Sequence, residues 1–563
     1  MRVRPIVAVL LLLATPHLES QEPTNFGATL DVRIINVDVV VRDKAGQLVS
    51  GLTASDFVIY EQGKPQPITN FAEYREESQA PPQAPELPDA APVAAKPPQT
   101  RHLVFFFERL DLRETQPRLE FFAGLRSFVT ESMRDGDTAT VYYFETATGL
   151  QNLLPMTGDR SALLAVIDKV AEESKLRLDV AEAEASELAM RARVAAADGV
   201  AMSARGWAND AATTVQMGSR FAAQRAYDRQ RQKVFAINAV IQGLSGLEGR
   251  KVMILAADRI SKHPGLEYGY GGKEFNARSQ MDDIVDTANA AGVTIYAYYP
   301  KGLPMDPMKP SGYEILMNDS EVLDSIATRT GGTFAAGGRL GAMDLGGAAK
   351  QLDNYYSLAY RATDSRNDRT RAIRVEVLRP GLEVLARSAI VDKTDDEIAR
   401  DRMISSMLFG MAPSTISISL TQGNVKRRGL TTLKVPVEIT IPIAQLTALP
   451  GRKGYEGSFR VLAAAANPEG DISDVAEKRQ AFHIPLKDFE SSRSRTFTYT
   501  LEIVVRDTSD RALVAVIDDL DNDVGYAAVV LDMTKVEKAQ PVTNTRPKWQ
   551  PIAAPSTPSG SRP

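Results

Sequence analysis

Leu103-Val104-Phe105-Phe106-Phe107-Glu108 is the stretch on which the fold turns: five large apolar residues in a row, closed by an acid. No polar residue alternates through it, so a strand here must be covered on both faces, as in the middle of a parallel sheet. Downstream, residues 116–133 fit an amphipathic helix with Leu119, Phe122, Leu125 and Val129 at helical spacing. Asp135-Gly136-Asp137 then turns the chain into a second strand, Thr138–Phe144, and Arg160–Val170 is a second helix. Strands at Lys251–Leu255, Gly292–Tyr298 and Gly331–Phe334 follow helices at 234–244, 280–291 and 321–330. Repeated β–α units of this kind predict a mainly parallel, doubly wound α/β sheet over residues 101–352.

One segment interrupts that rhythm. Residues 171–232 are rich in Ala, Glu and Arg and contain no proline. Leu178, Ala181, Ala185, Leu188, Ala192 and Ala195 recur three and four apart, the seam of a helix packing on another helix. The expectation is a long helical-hairpin insertion with arms of about 25 residues, about 40 Å each.

Outside this unit the pattern switches to strands. Residues 28–75 alternate apolar and polar, with turns at Asp43–Gly46 and Glu61–Lys64. Residues 76–100, rich in Pro and Ala, read as a disordered linker. Residues 353–393 read as strands again. The roughly 48 residues of the first segment are thin for an independent sandwich. One β-sandwich built from 28–75 and 353–393, with the α/β unit inserted between them, is the preferred expectation. A free small domain on the linker is the alternative. Residues 411–535 predict a C-terminal all-β sandwich, and the Pro- and Ser-rich 536–563 a disordered tail.

Arg2 and Arg4, the apolar run Ile6–Ala14, Pro16 and the polar stretch after it have the layout of a cleaved secretory signal over residues 1–20. The run falls short of the about 20 residues that span a bilayer. An exported protein, periplasmic or extracellular and without a membrane span after cleavage, is expected. The chain of 563 residues has no cysteine, which excludes disulfides and thiolate chemistry. A net charge of −5 with no basic face gives no reason to expect a nucleic-acid partner.

Several stretches together resemble the von Willebrand factor A-related proteins of the acidobacterial exported type. They are Val39–Asp43, Gly51–Phe57, Glu61-Gln62-Gly63, Leu103–Glu108, Gly249–Leu255, Tyr355–Tyr360 and Arg379–Val384, and they cover roughly residues 28–393. The resemblance implies a cation site at the carboxyl ends of the strands. There Asp-x-Ser-x-Ser, a threonine and a second aspartate offer hard oxygen ligands to Mg²⁺. This sequence departs from that motif. Glu108 stands at the first aspartate, and Leu110 and Leu112 stand at the two serines. A frame starting at Asp111 brings Arg113 into the ligand set. Asp258 survives as the third-loop acid beside Arg259, and Thr146 and Thr148 are weak candidates for the threonine. Glu108, Asp111 and Asp258 are therefore the candidate metal ligands of a site that reads as degenerate, and Mg²⁺ is its candidate cation. The competing reading pairs Glu108 with Arg259 or Arg109.

Two other motifs invite a ligand. Asp518–Gly525 is acidic, but a helix–loop–helix calcium loop would need Gly at Val524 and Glu at Val530, so an acidic hairpin turn is expected. The glycines at 269, 271 and 272 precede Lys273, but Glu274 stands where a phosphate loop needs Ser or Thr. None of the four histidines falls in a nucleophile–base or zinc pattern. The sequence thus predicts a non-enzymatic interaction or scaffolding protein with a protein partner and no bound cofactor. A cation-dependent adhesion module and a hydrolase are the alternatives.

Overall fold

The 101–108 run forms the middle of a six-stranded sheet in the computed structural model of the chain. The structure describes residues 34–534 apart from 76–99, 109–114, 174–207, 258–259, 269–272, 300–309, 337–344, 363–366, 411–413, 468–471 and the single positions 430, 452, 474, 507 and 510. The sheet comprises β5 (Arg101–Glu108), β6 (Thr138–Glu145), β7 (Gly149–Thr157), β8 (Arg250–Ala256), β9 (Val293–Tyr299) and β10 (Phe334–Ala336), in the order β10-β9-β8-β5-β6-β7. All neighbours are parallel except the edge pair β6–β7. Alternate side chains of β5 point to opposite faces. Val104 and Phe106 pack under helices α3 (Ala208–Leu244), α4 (Arg278–Ala291) and α5 (Pro310–Arg329). Leu103, Phe105 and Phe107 pack under α1 (Thr115–Ser127), α2 (Arg160–Glu173) and α6 (Leu345–Asp353). Two buried faces explain the unbroken apolar run.

Differences from the sequence reading have physical causes. β7 escapes a periodicity argument, because Asn152 and Pro155 break its pattern. As an edge strand it tolerates a proline that a central strand would not. α3 is one uninterrupted helix of 37 residues, about 55 Å long, so the return arm of the insertion and the 234–244 helix are a single element. The outgoing arm lies outside the described residues, as do the linker, the signal and the tail.

The strands flanking this unit pair with each other. β1 (Ile34–Asp43) lies between β11 (Tyr355–Arg361) and β13 (Leu382–Ala386), with β4 (Ile68–Tyr74) on the far side of β11. A second sheet runs β14 (Ala389–Val391), β12 (Thr370–Val377), β2 (Phe57–Glu61), β3 (Lys64–Gln66). Val37, Val39 and Tyr356 from one sheet and Phe57, Ile59 and Ile373 from the other close a common core. The chain leaves this core before Arg101 and returns after Asp353. The buried Arg101 guanidinium joins the two crossing points, bonding Asp353 at 2.6 Å and the Asp137 carboxylate on the turn before β6.

The C-terminal strands form two further sheets. One holds β15 (Ser419–Gln422), β16 (Lys426–Arg427), β17 (Thr432–Pro442) and β21 (Thr496–Arg506). The other holds β18 (Leu449–Pro450), β19 (Gly454–Ala466), β20 (Ala476–Pro485), β22 (Arg511–Asp518) and β23 (Val524–Val530). Val435, Val437 and Ile439 face Val461, Ala463 and Val514 across the core. β19 is buried on its outer face too, because α7 (Asp395–Phe409) lays Ala399, Met403 and Met407 against Leu462, Ala464 and Leu513. Apolar periodicity does not announce α7. Thr394-x-x-Glu397 is its legible signal, and the Thr394 hydroxyl accepts the Glu397 amide as an N-cap.

α7 also docks on the α/β unit at very short range. Ser405 bridges the Gly243 carbonyl and the Gly246 amide, and a Cβ on Gly246 would stand 2.3 Å from the Asp401 and Arg402 backbone. Gly246→Ala is therefore expected to lever α7 off its seat and cost about 3 kcal/mol. Limited proteolysis checks this: cleavage within 395–409 should accelerate, and an unchanged digestion pattern contradicts the close packing.

Candidate functional site

In an open α/β sheet, ligands favour the crevice at the carboxyl ends of the strands where the strand order reverses. Here that point lies between β5 and β8, because the chain goes from β5 to β6 on one side and returns to β8 on the other. Glu108 is the last residue of β5 and is 8% exposed. Its carboxylate is ion-paired with the ammonium of Lys233, itself 4% exposed, which reaches it from α3. The pairing offsets part of the several kcal/mol that stripping either charge of its hydration alone would cost.

Lys233 belongs to a stripe. Ala222, Ala226, Gln230, Lys233 and Ile237 are three or four apart and all buried, so one face of α3 lies along the carboxyl end of the sheet. Gln230 clamps the chain just after β8, donating to the Ser261 carbonyl at 2.9 Å and accepting the Ser261 amide at 3.0 Å. One residue earlier, Arg229 donates to the Tyr268 hydroxyl at 2.9 Å, and Tyr268 packs on Ala222 and Ala226. The helix therefore lies against the chain that leaves β8, at the end of the sheet where an open α/β fold offers its crevice. Its far side carries Met217, Phe221 and Phe235, which are 53%, 61% and 76% exposed. Their spacings bring all three onto one line of the helix, spanning about 27 Å.

Of the three expected carboxylate ligands only Glu108 lies among the described residues, and Asp111 and Asp258 lie outside them. Glu108 meets Lys233, and its expected partners Arg259 and Arg109 lie outside the described residues. Thr146 and Thr148 sit exposed on the β6–β7 turn. Among the described residues no three His, Asp or Glu side chains cluster as a metal site would require. The sequence signal for Lys233 is faint: a cation three residues after Gln230 in a stripe that continues through the apolar Ile237, Val240 and Leu244, with nothing in the spacing to say which rung meets Glu108.

The acidic turn after β22 has protein partners, and Gly269, Gly271 and Gly272 lie outside the described residues. Asp518 ends β22 and accepts the Thr447 and Leu520 amides at 2.6 and 2.8 Å, while burial pushes its pKa up. Asp519 faces Arg460 and Arg479, and Asp521 takes the Thr447 hydroxyl. His102 bridges the Thr138 hydroxyl and the Glu248 carbonyl, each at 2.8 Å, and burial lowers its pKa. Among the described residues no helix is long and apolar enough to cross a membrane.

No family model matches the chain, and no curated protein matches it. Among solved structures it is similar to an aerotolerance-related membrane protein from Bacteroides fragilis, at 9% identity and a TM-score of 0.23, over 45% of this chain and 98% of that one. It is also similar to the pilus adhesin SpaC from Lactobacillus rhamnosus GG in an open conformation, at 8% identity and a TM-score of 0.26. That match covers 83% of this chain and 56% of the adhesin. The human COPII-coat protein Sec24c is a third, at 8% identity and a TM-score of 0.23, over 54% of this chain and 46% of that one.

Proposed function

We propose that the chain is an exported, non-enzymatic protein-interaction or scaffolding module built on a von Willebrand factor A-like unit whose cation site is closed from within. The observation that carries this reading is the Lys233–Glu108 pair. An ammonium on the first-strand carboxylate supplies the positive charge that a divalent cation would bring, and it repels a cation approaching the same oxygens. In this reading the Glu108 carboxylate, held by Lys233, is withdrawn from coordinating a cation on a partner's behalf. Recognition then falls to surface, where the exposed Met217, Phe221 and Phe235 on the outer side of α3 are the candidate contacts. Hydrolysis gains nothing from Glu108, because a carboxylate neutralised by a buried ammonium is a poor general base.

Calorimetric titration of the full chain with Mg²⁺ and Mn²⁺ tests the reading. No saturable heat is expected. Saturable binding that disappears in Asp258→Ala would return the site to the cation-dependent adhesion class.

A further inference from the structure

At the opposite end of the central sheet, a cavity of about 270 Å³ opens between the turn before β8, the carboxyl end of α4, the β13–β14 corner and α7. Four cationic side chains line it, Lys251, Arg387, Lys393 and Arg402, against two carboxylates, Glu248 and Asp401. Both carboxylates are committed: Asp401 to Lys393 at 2.5 Å, and Glu248 to Arg402 at 2.8 Å on the exposed rim. Lys251 and Arg387 are left with no carboxylate at hydrogen-bond distance among the described residues. The Lys251 ammonium donates to the Leu247 carbonyl at 3.0 Å, and Asp38 acts on Arg387 at longer range.

These two side chains converge. The Arg387 Nη1 and Lys251 Nζ atoms stand 3.6 and 3.8 Å from the point that a Cβ on Gly292 would occupy. The two cationic nitrogens are thus at most about 7.4 Å apart. Burial, with Arg387 and Lys393 nearby, pushes Lys251 down to about 8. The carboxyl end of α4 favours a cation here, and the half-buried Lys251 and Arg387 bring two. Two like charges thus face one cavity, and it is built from three separate parts of the fold.

We propose that this cavity binds a small oxyanion of the phosphate or sulfate class, gripped between Lys251 and Arg387 where the α/β unit, the flanking sandwich and α7 meet. A tetrahedral oxyanion spans the gap with charge-assisted hydrogen bonds of about 2.8 Å on each side. The volume falls below the about 300–1,000 Å³ of pockets that take drug-sized ligands, which favours an inorganic ion over a nucleotide. Binding there fastens the three parts to one another.

The test is calorimetry on the full chain, titrating phosphate and sulfate at constant ionic strength in a buffer free of both. Saturable one-to-one binding is expected, and Arg387→Gln and Lys251→Gln should each weaken it by about tenfold or more. A second measurement avoids any dependence on variant folding. Acylation of Lys251 in the wild-type chain, followed by mass spectrometry, should slow by about tenfold at a phosphate concentration ten times the Kd. No saturable heat with either ion, or acylation of Lys251 indifferent to phosphate, would overturn the proposal.

Discussion

Arg101→Met is expected to cost the α/β unit about 4 kcal/mol, because it strands two buried carboxylates at once. The guanidinium is 3% exposed and serves two acids that are themselves buried, Asp137 and Asp353. It also donates to the Ser132 carbonyl at 2.7 Å. Methionine fills much of the volume but leaves both carboxylates without the charge that offset their desolvation. Arg134 still reaches Asp353 at 2.6 Å, but its side chain is 43% exposed and screened by water, so it compensates little. The position matters because Arg101 and Asp353 stand where the chain enters and leaves the unit. Hydrogen exchange of the β5, β6 and β8 amides reads the loss locally, without assuming that the whole chain unfolds in one step. Adding Asp137→Asn and Asp353→Asn to Arg101→Met should recover a large part of it, since the asparagines carry no charge to strand. Equal protection in wild type and Arg101→Met would show that the crossing point is not held by this guanidinium.

The parts of the fold that are legible in the sequence are those whose burial is two-sided or strictly alternating. The Leu103–Phe107 run announces a covered strand because both faces must be apolar, and β12, reading exposed and buried in turn, announces a half-covered one. α7 is hidden for the complementary reason. It buries a narrow face of Ala399, Met403 and Met407 among charged residues, so its amphipathicity is faint and only its cap betrays it. The candidate site is legible at Glu108, which is fixed by the end of a strand. Its partner Lys233 is harder to assign, because which rung of a 37-residue helix meets the sheet depends on how the insertion returns, and local spacing carries no record of that. The Lys251–Arg387 cavity is still further from sequence reach, since its two cations come from separate sheets and meet only through tertiary packing.

Lys233→Met should destabilise the chain by about 3 kcal/mol at neutral pH, and the loss should depend on pH with a definite sign. Removing the ammonium takes away a charge that offsets the desolvation of a carboxylate that is 8% exposed, so in the variant the folded pKa of Glu108 is expected to move up from where Lys233 holds it, above the unfolded value of about 4.3. The folded state of the variant then binds more protons than the unfolded state between those two values. Its stability relative to wild type is accordingly best near pH 4 and declines as the pH rises through the elevated folded pKa. Glu108→Leu/Lys233→Met removes both charges and should return to within about 1 kcal/mol of wild type, because an apolar pair of similar volume replaces a buried ion pair at little cost. Urea unfolding of the four proteins in this double-mutant cycle, at pH 5 and pH 8, gives the coupling energy directly. A coupling of about 2 kcal/mol that is larger at pH 8 is the expected result. Zero coupling at both pH values would mean that the ammonium does not hold the Glu108 carboxylate, and the closed-site reading of function would lose its support. Lys233→Met is also the variant in which a latent cation site has its best chance to appear, because the competing positive charge is gone while Glu108 remains. If Mg²⁺ stabilises Lys233→Met but not the wild-type chain, the lysine is the element that converted a cation site into an interaction surface.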